Sequence, residues 1–185
     1  MTLLTAASVA QTNNERWKAP LFAAVAAAIV ALLMALLKGV PVLGGLLGIV
    51  IGAAPIVGYD YARGALGQNW RPVIAGLIGH IFFIIGVVLP GVFAEDFGFV
   101  VAGLPIGILT AILWPIVVGA MSANQSIGKL LLASIIGLVL GYIVNLAIVL
   151  PLFGQNPSTW PAVAAILFWA VWAACVGWAL NAWSK

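Results

Sequence analysis

Apolar positions fill the chain in long unbroken stretches: Pro20–Leu37, Val40–Val57, Val73–Phe93, Phe97–Met121, Leu130–Phe153 and Pro161–Trp183. None alternates apolar with polar as a half-buried strand does, and hydrocarbon does not tolerate unpaired sheet edges. A helix needs about 20 apolar residues to cross a bilayer, a length the first two stretches only just reach. The pattern therefore predicts an all-α, polytopic membrane bundle with a transmembrane helix in each stretch. The helical domain is expected over 19–185, after a cytoplasmic N-terminal tail, 1–18.

A slower pattern lies over this one. Gly39-Val40-Pro41, Pro55-Ile56-Val57 and Val88-Leu89-Pro90 recur as Gly103-Leu104-Pro105, Pro115-Ile116-Val117 and Val149-Leu150-Pro151. In the later half of each copy, Gly67/Gly128, Ile74/Ile135, Gly76/Gly137, Leu77/Leu138 and Leu89/Leu150 coincide at a constant offset of 61 residues. The earlier half aligns only with small length changes. Each copy, 39–93 and 103–153, reads as a pair of helices, so a tandem repeat of helical hairpins is expected. Lys38-Gly39-Val40-Pro41 should form a tight turn, because glycine accepts unusual dihedrals and proline starts a helix well. Pro55, Pro105 and Pro115 each remove an intrahelical hydrogen bond and should bend their helices.

Small residues recur every fourth position, which places them on one helix face. The second stretch carries Gly44, Gly48 and Gly52, and the fourth Gly103, Gly107, Ala111 and Gly119. The fifth carries Ala133, Gly137, Gly141 and then Asn145, and the first Ala23, Ala27, Ala31 and Ala35. In lipid, apolar burial does not draw helices together, whereas small residues that let backbones approach do. These faces are the expected helix contacts, in the manner of a glycine zipper.

Composition agrees with the pattern. Apolar residues make up 65% of the chain and charged residues 6%, against roughly a quarter charged in globular domains. So few polar residues cannot cover the surface of a soluble domain. The net charge of +3 is too small and dispersed for nucleic acid, but its placement sets a topology. With alternating helices, Arg16, Lys18, Arg63, Arg71, Lys129 and Lys185 fall on one side, and Lys38, Glu95 and Asp96 on the other. Basic residues in short loops mark the cytoplasm, so both termini are expected there, on a multi-pass protein of the cell (inner) membrane. Met1–Asn14 has no basic residue before its short Leu3–Val9 run, unlike a signal peptide, and reads as a retained tail. The single cysteine, Cys175, excludes an internal disulfide and a cysteine-based zinc or iron–sulfur site.

Candidate chemistry is sparse. The apolar stretches contain no Asp, Glu, Lys or Arg; their polar members are His80, Thr110, Ser134, Asn145, Cys175 and Asn181, with amphipathic Tyr142, and Ser122 follows the fourth stretch directly. Ion-coupled transporters and intramembrane enzymes place ionisable groups within the bilayer, where the chemistry justifies their cost. His80, flanked by Gly76 and Gly79, has two readings. It is a cofactor contact for a pigment, haem or quinone, or it is bonded to a neighbouring helix with Asn145 as its candidate intramembrane partner. One histidine cannot make a bis-histidine haem site within one chain. Trp160 and Trp183 bracket the last stretch, and Trp17 and Trp70 stand beside basic residues, as in an interfacial belt. Trp169 and Trp172 share a face with Phe168 nearby, whereas Trp178 points away from it. Tyr59-Asp60-Tyr61-Ala62-Arg63 reads as a solvated turn with an Asp60–Arg63 pair. Glu95-Asp96 falls far short of a calcium loop. No catalytic signature and no metal site is present in the sequence, so an enzyme is not expected. The reading is a non-catalytic membrane subunit or scaffold of a larger assembly, such as a respiratory or photosynthetic one. Its partners would be membrane lipids and other membrane subunits, and it would require no cofactor. The alternative is a small transporter, or its substrate-binding component, for an apolar or neutral solute.

Overall fold

With almost no side chain able to compete for backbone groups, the apolar stretches satisfy their amides locally. In the computed structural model, which describes residues 17–37, 41–81, 99–122, 125–153 and 160–183, every regular element is a helix. They are α1 (Lys18–Leu36), α2 (Pro41–Ile51), α3 (Ala54–Ala62), α4 (Arg71–Gly79) and α5 (Phe99–Met121). There follow α6 (Ile127–Val144), a π turn (Asn145–Val149), α7 (Leu150–Phe153) and α8 (Trp160–Ala182). Among the described residues, four stretches are long and apolar enough to cross a membrane: Lys18–Leu36, Gly45–Ala62, Ile127–Leu152 and Ala162–Ala182. The tail up to Arg16, Lys38-Gly39-Val40, the second half of the third apolar stretch with Val88-Leu89-Pro90, Glu95-Asp96 and Lys185 lie outside the described residues.

Helices meet mainly start against end. Alpha-helix α8 packs against α1 and α6, α1 against α3, and α5 against α4 and α6. The alanine face of α1 (Ala19, Ala23, Ala27 and Ala31) is fully buried. A Cβ on Gly177 of α8 would come within 2.7 Å of Ala23 Cβ, and one on Gly58 of α3 would overlap the Ala23 backbone. Gly137 and Gly141 of α6 stand against Trp172 and Phe168 of α8. These contacts gather the ends of α3 and α8 with the starts of α1 and α6. Lys18, Arg63, Arg71 and Lys129 consequently share one end of the bundle. Large aliphatic side chains such as Leu32, Leu132, Val139 and Ile143 cover the outer faces. For Gly44, Gly103 and Gly107 the structure describes the helical backbone alone.

Three elements depart from the sequence reading. The second stretch is not one helix but two, α2 and α3, meeting at Gly52-Ala53, and α3 runs on through the expected polar turn to Ala62. Aromatic packing carries it there: the Tyr61 ring meets Phe22 of α1 edge-on at 4.6 Å, and Tyr59 packs against the core. Arg63 is held by Tyr59, its Nη1 donating to the phenol oxygen at 2.6 Å. The helix then stops in a Schellman motif, with Ala65 N–H bonded to Asp60 O at 2.9 Å and Gly64 N–H to Tyr61 O at 3.1 Å. Gly64 takes a φ of +65° there, which glycine adopts without strain. The third stretch is helical from Arg71 to Gly79, with His80 as its C-cap rather than an interior residue. In the fifth stretch the π turn precedes Pro151. Proline has no N–H and crowds the carbonyl four residues back, so a wider turn relieves the clash. Pro105 and Pro115, by contrast, sit inside the unbroken run of α5.

Close approach and open space give a paired test. A Cβ on Gly76 would overlap the Gly52 carbonyl, whereas one on Gly128 meets nothing within 4 Å. Gly76→Ala should lower the unfolding free energy in detergent by about 1–3 kcal/mol. Gly128→Ala should raise it by up to about 1 kcal/mol through helix propensity. Reversible denaturation followed by circular dichroism measures both.

Candidate functional site

The α2–α3 junction creates the site. Pro55 cannot donate a hydrogen bond, and its ring crowds the carbonyl of Ile51 one turn earlier. The chain responds with tighter bonds: Gly52 N–H to Ile49 O at 3.0 Å, Ala53 N–H to Val50 O at 3.0 Å, and Ile56 N–H to Ala53 O at 3.1 Å. In an unbroken helix Gly52 N–H would bond Gly48 O, and Ile56 N–H would bond Gly52 O. Both carbonyls are released. Each is then taken by a ring from another helix. His80 Nδ1 lies 3.1 Å from Gly48 O, and Trp114 Nε1 donates to Gly52 O at 2.6 Å. A carbonyl only accepts, so Nδ1 is the protonated nitrogen of His80.

Absent side chains let these rings in. A Cβ on Gly52 would overlap the Gly76 carbonyl and stand 2.8 Å from His80 Cβ. One on Gly79 would stand 2.7 Å from Trp114 Cα. The helices α2, α4 and α5 therefore meet at backbone distance, and the two rings bridge what remains.

Aromatic packing extends the site to α8 and α6. The Trp172 ring lies 5.1 Å from His80, 5.4 Å from Trp114 and 5.6 Å from Trp169. Trp169 lies 5.3 Å from His80 and meets Phe168, which in turn meets Tyr142. Trp172 Nε1 donates to Ser134 Oγ of α6 at 3.0 Å. His80 and Trp114 are 0% exposed and Trp172 1%, so the cluster is closed to the surroundings. Centroid separations of this size with tilted rings suit the aromatic quadrupole, adding about 0.5–1.5 kcal/mol per pair to burial.

The structure brings some sequence candidates together and separates others. His80, Trp169, Trp172, Gly48, Gly52 and Ser134 form one cluster. Trp178 lies outside it and is exposed, as are Trp17 and Trp70. Asn145 opens the π turn, its Oδ1 buried without a partner among the described residues, and the backbone of Gly48 rather than this amide holds His80 Nδ1. Thr110 Oγ1 on α5, one turn before Trp114, is also buried without a partner among the described residues. Ala111 is buried. Trp114 was absent from the sequence candidates. The signal for it was available: a tryptophan at mid-stretch, far from any interface, needs an acceptor for its indole N–H.

Chemically the cluster is a set of donors matched to acceptors. Among the described residues no three His, Cys, Asp or Glu side chains come together as a metal site. No family model, no curated protein and no solved structure matches the chain.

Trp114→Phe keeps the ring and removes the donor, leaving Gly52 O buried and unmet. The expected loss is about 1–3 kcal/mol of unfolding free energy. In a Pro55→Ala background the regular ladder is free to close over that carbonyl, so the same substitution should cost less. A double-mutant cycle in detergent measures the difference, and purely additive losses refute the link.

Proposed function

We propose that the protein is a non-catalytic, multi-pass subunit of a larger membrane assembly. Six transmembrane helices, arranged as a tandem repeat of hairpins between an outer pair, would sit in the inner membrane with both termini in the cytoplasm. The observation that carries the reading is the use made of His80. It is the one histidine of the chain, and its seat is filled by tryptophan side chains while Nδ1 secures a broken helix. A pigment, haem or quinone at His80 would require an indole to move aside. The hydrogen-bonded rings of the interior, His80, Trp114 and Trp172, hold helices in place, which points to the outer faces as the working surface.

The exposed faces support this. They are aliphatic along α1, α2, α5 and α6, suited to lipid or to neighbouring helices. The four described basic residues, Lys18, Arg63, Arg71 and Lys129, gather at one end, as cytoplasmic loops require. The second reading, a small transporter for an apolar or neutral solute, rests on Thr110 Oγ1 and Asn145 Oδ1, buried polar atoms without partners among the described residues.

Two measurements separate the readings. Cross-linking in native membranes followed by native electrophoresis should place the chain in a complex of fixed composition. Liposomes holding the purified chain should pass glycerol and other small neutral solutes no faster than empty ones. A chain that stays solitary in its membrane and conducts such a solute overturns the subunit reading in favour of the transporter.

A further inference from the structure

An apolar groove of about 260 Å³ runs along the outside of the bundle, where the starts of α1 and α6 meet the end of α8. Trp17 lines it from the start of α1, Ala133 and Ile136 line it from α6, and Ala174, Trp178 and Trp183 line it along the end of α8. From Trp183 to Ala174 the groove follows α8 for roughly 13 Å at the helical rise. That is close to the hydrocarbon depth of one leaflet, half of about 30 Å. A partner helix would seek a seam along the whole crossing. A groove that stops at mid-membrane suits an acyl chain.

The mouth supplies the second half of the recognition. Lys18 follows Trp17 directly, and Lys129 stands one turn before Ala133 with its Nζ 6.0 Å from the Trp183 ring centroid. Both lysines are exposed, and α1, α6 and α8 carry no carboxylate to neutralise them. Lysine stems lie along apolar surface while the ammonium reaches the headgroup level. Indoles at the same level anchor that geometry. From the groove and its charged rim together we infer that this site holds an anionic phospholipid, one acyl chain in the groove and the phosphate between Lys18 and Lys129. The inference rests on the membrane reading above. It adds a lipid site distinct from the His80 cluster.

Native mass spectrometry of the full chain in detergent, titrated with dioleoylphosphatidylglycerol or dioleoylphosphatidylcholine, tests it. The anionic lipid should be retained with a preference of roughly thirtyfold, the worth of two lysines at a membrane surface. The double variant Lys18→Gln/Lys129→Gln should lose that preference while keeping the helical circular dichroism. Ala174→Phe, which fills the groove, should release the retained phosphatidylglycerol. Equal retention of both lipids by the unaltered chain overturns the inference, as does a preference that survives the double variant. It also fails if Ala174→Phe leaves the lipid bound and instead splits a dimer, which would assign the groove to a second copy. A chain that stays in solution without detergent and takes up neither lipid fails the membrane reading itself. A detergent-dependent chain that holds both lipids equally fails this inference alone.

Discussion

Two orphaned carbonyls organise the interior. A backbone C=O that loses its intrahelical donor must find another, because leaving it buried and unmet costs about as much as a substantial core mutation. In water such a group is solvated. Inside an apolar bundle only protein can serve. Pro55 and the tight bonds after Val50 release Gly48 O and Gly52 O at mid-stretch, and His80 and Trp114 are the donors that come to them. The break in α2–α3 and the placement of α4 and α5 are thus one event seen from two sides. The glycines complete it, since Gly52, Gly76 and Gly79 leave space that any side chain would close.

From that point the remaining helices follow by ring contact. Trp172 touches both His80 and Trp114 and donates in turn to Ser134. One residue of α8 therefore ties the broken helix to α6. His80, Trp114 and Trp172 each donate to an oxygen of another helix, at Gly48, Gly52 and Ser134 respectively. Such networks fix a unique packing when every member is met and destabilise it when one is not. The cost of disturbing it falls on position as well as energy: an indole that swings out exposes a carbonyl and opens a void together.

How much of this was legible in the sequence depends on which force set each feature. Where helices follow the apolar runs, as α1, α6 and α8 do, length and burial decide them. The split between Trp172 inside and Trp178 outside followed from helical spacing. The extension of α3 to Ala62 did not, because Asp60 and Arg63 look like a turn while Tyr61 gains more by packing on Phe22. The π turn was hidden for a related reason: Pro151 announces a missing donor, but only the packed helix shows whether it answers with a kink or a wider turn. His80 was legible as unusual and its partner was not. That partner is a backbone carbonyl, present at every residue, and what distinguishes Gly48 is the bond its own helix fails to make.

A sealed interior also constrains where function resides. Side chains engaged in holding carbonyls are poorly placed to exchange partners with a passing solute, since each exchange would leave a buried group unmet. The exposed indoles and lysines lie instead at the rim of the bundle, Trp17, Lys18 and Lys129 among them. The groove between α1, α6 and α8 combines an apolar channel with exposed cations. The aromatic cluster and the groove share α8, however, whose Trp172 faces inward and whose Trp178 faces out. The centre of the bundle is closed by ring contacts and hydrogen bonds, while its outer end carries an open apolar groove.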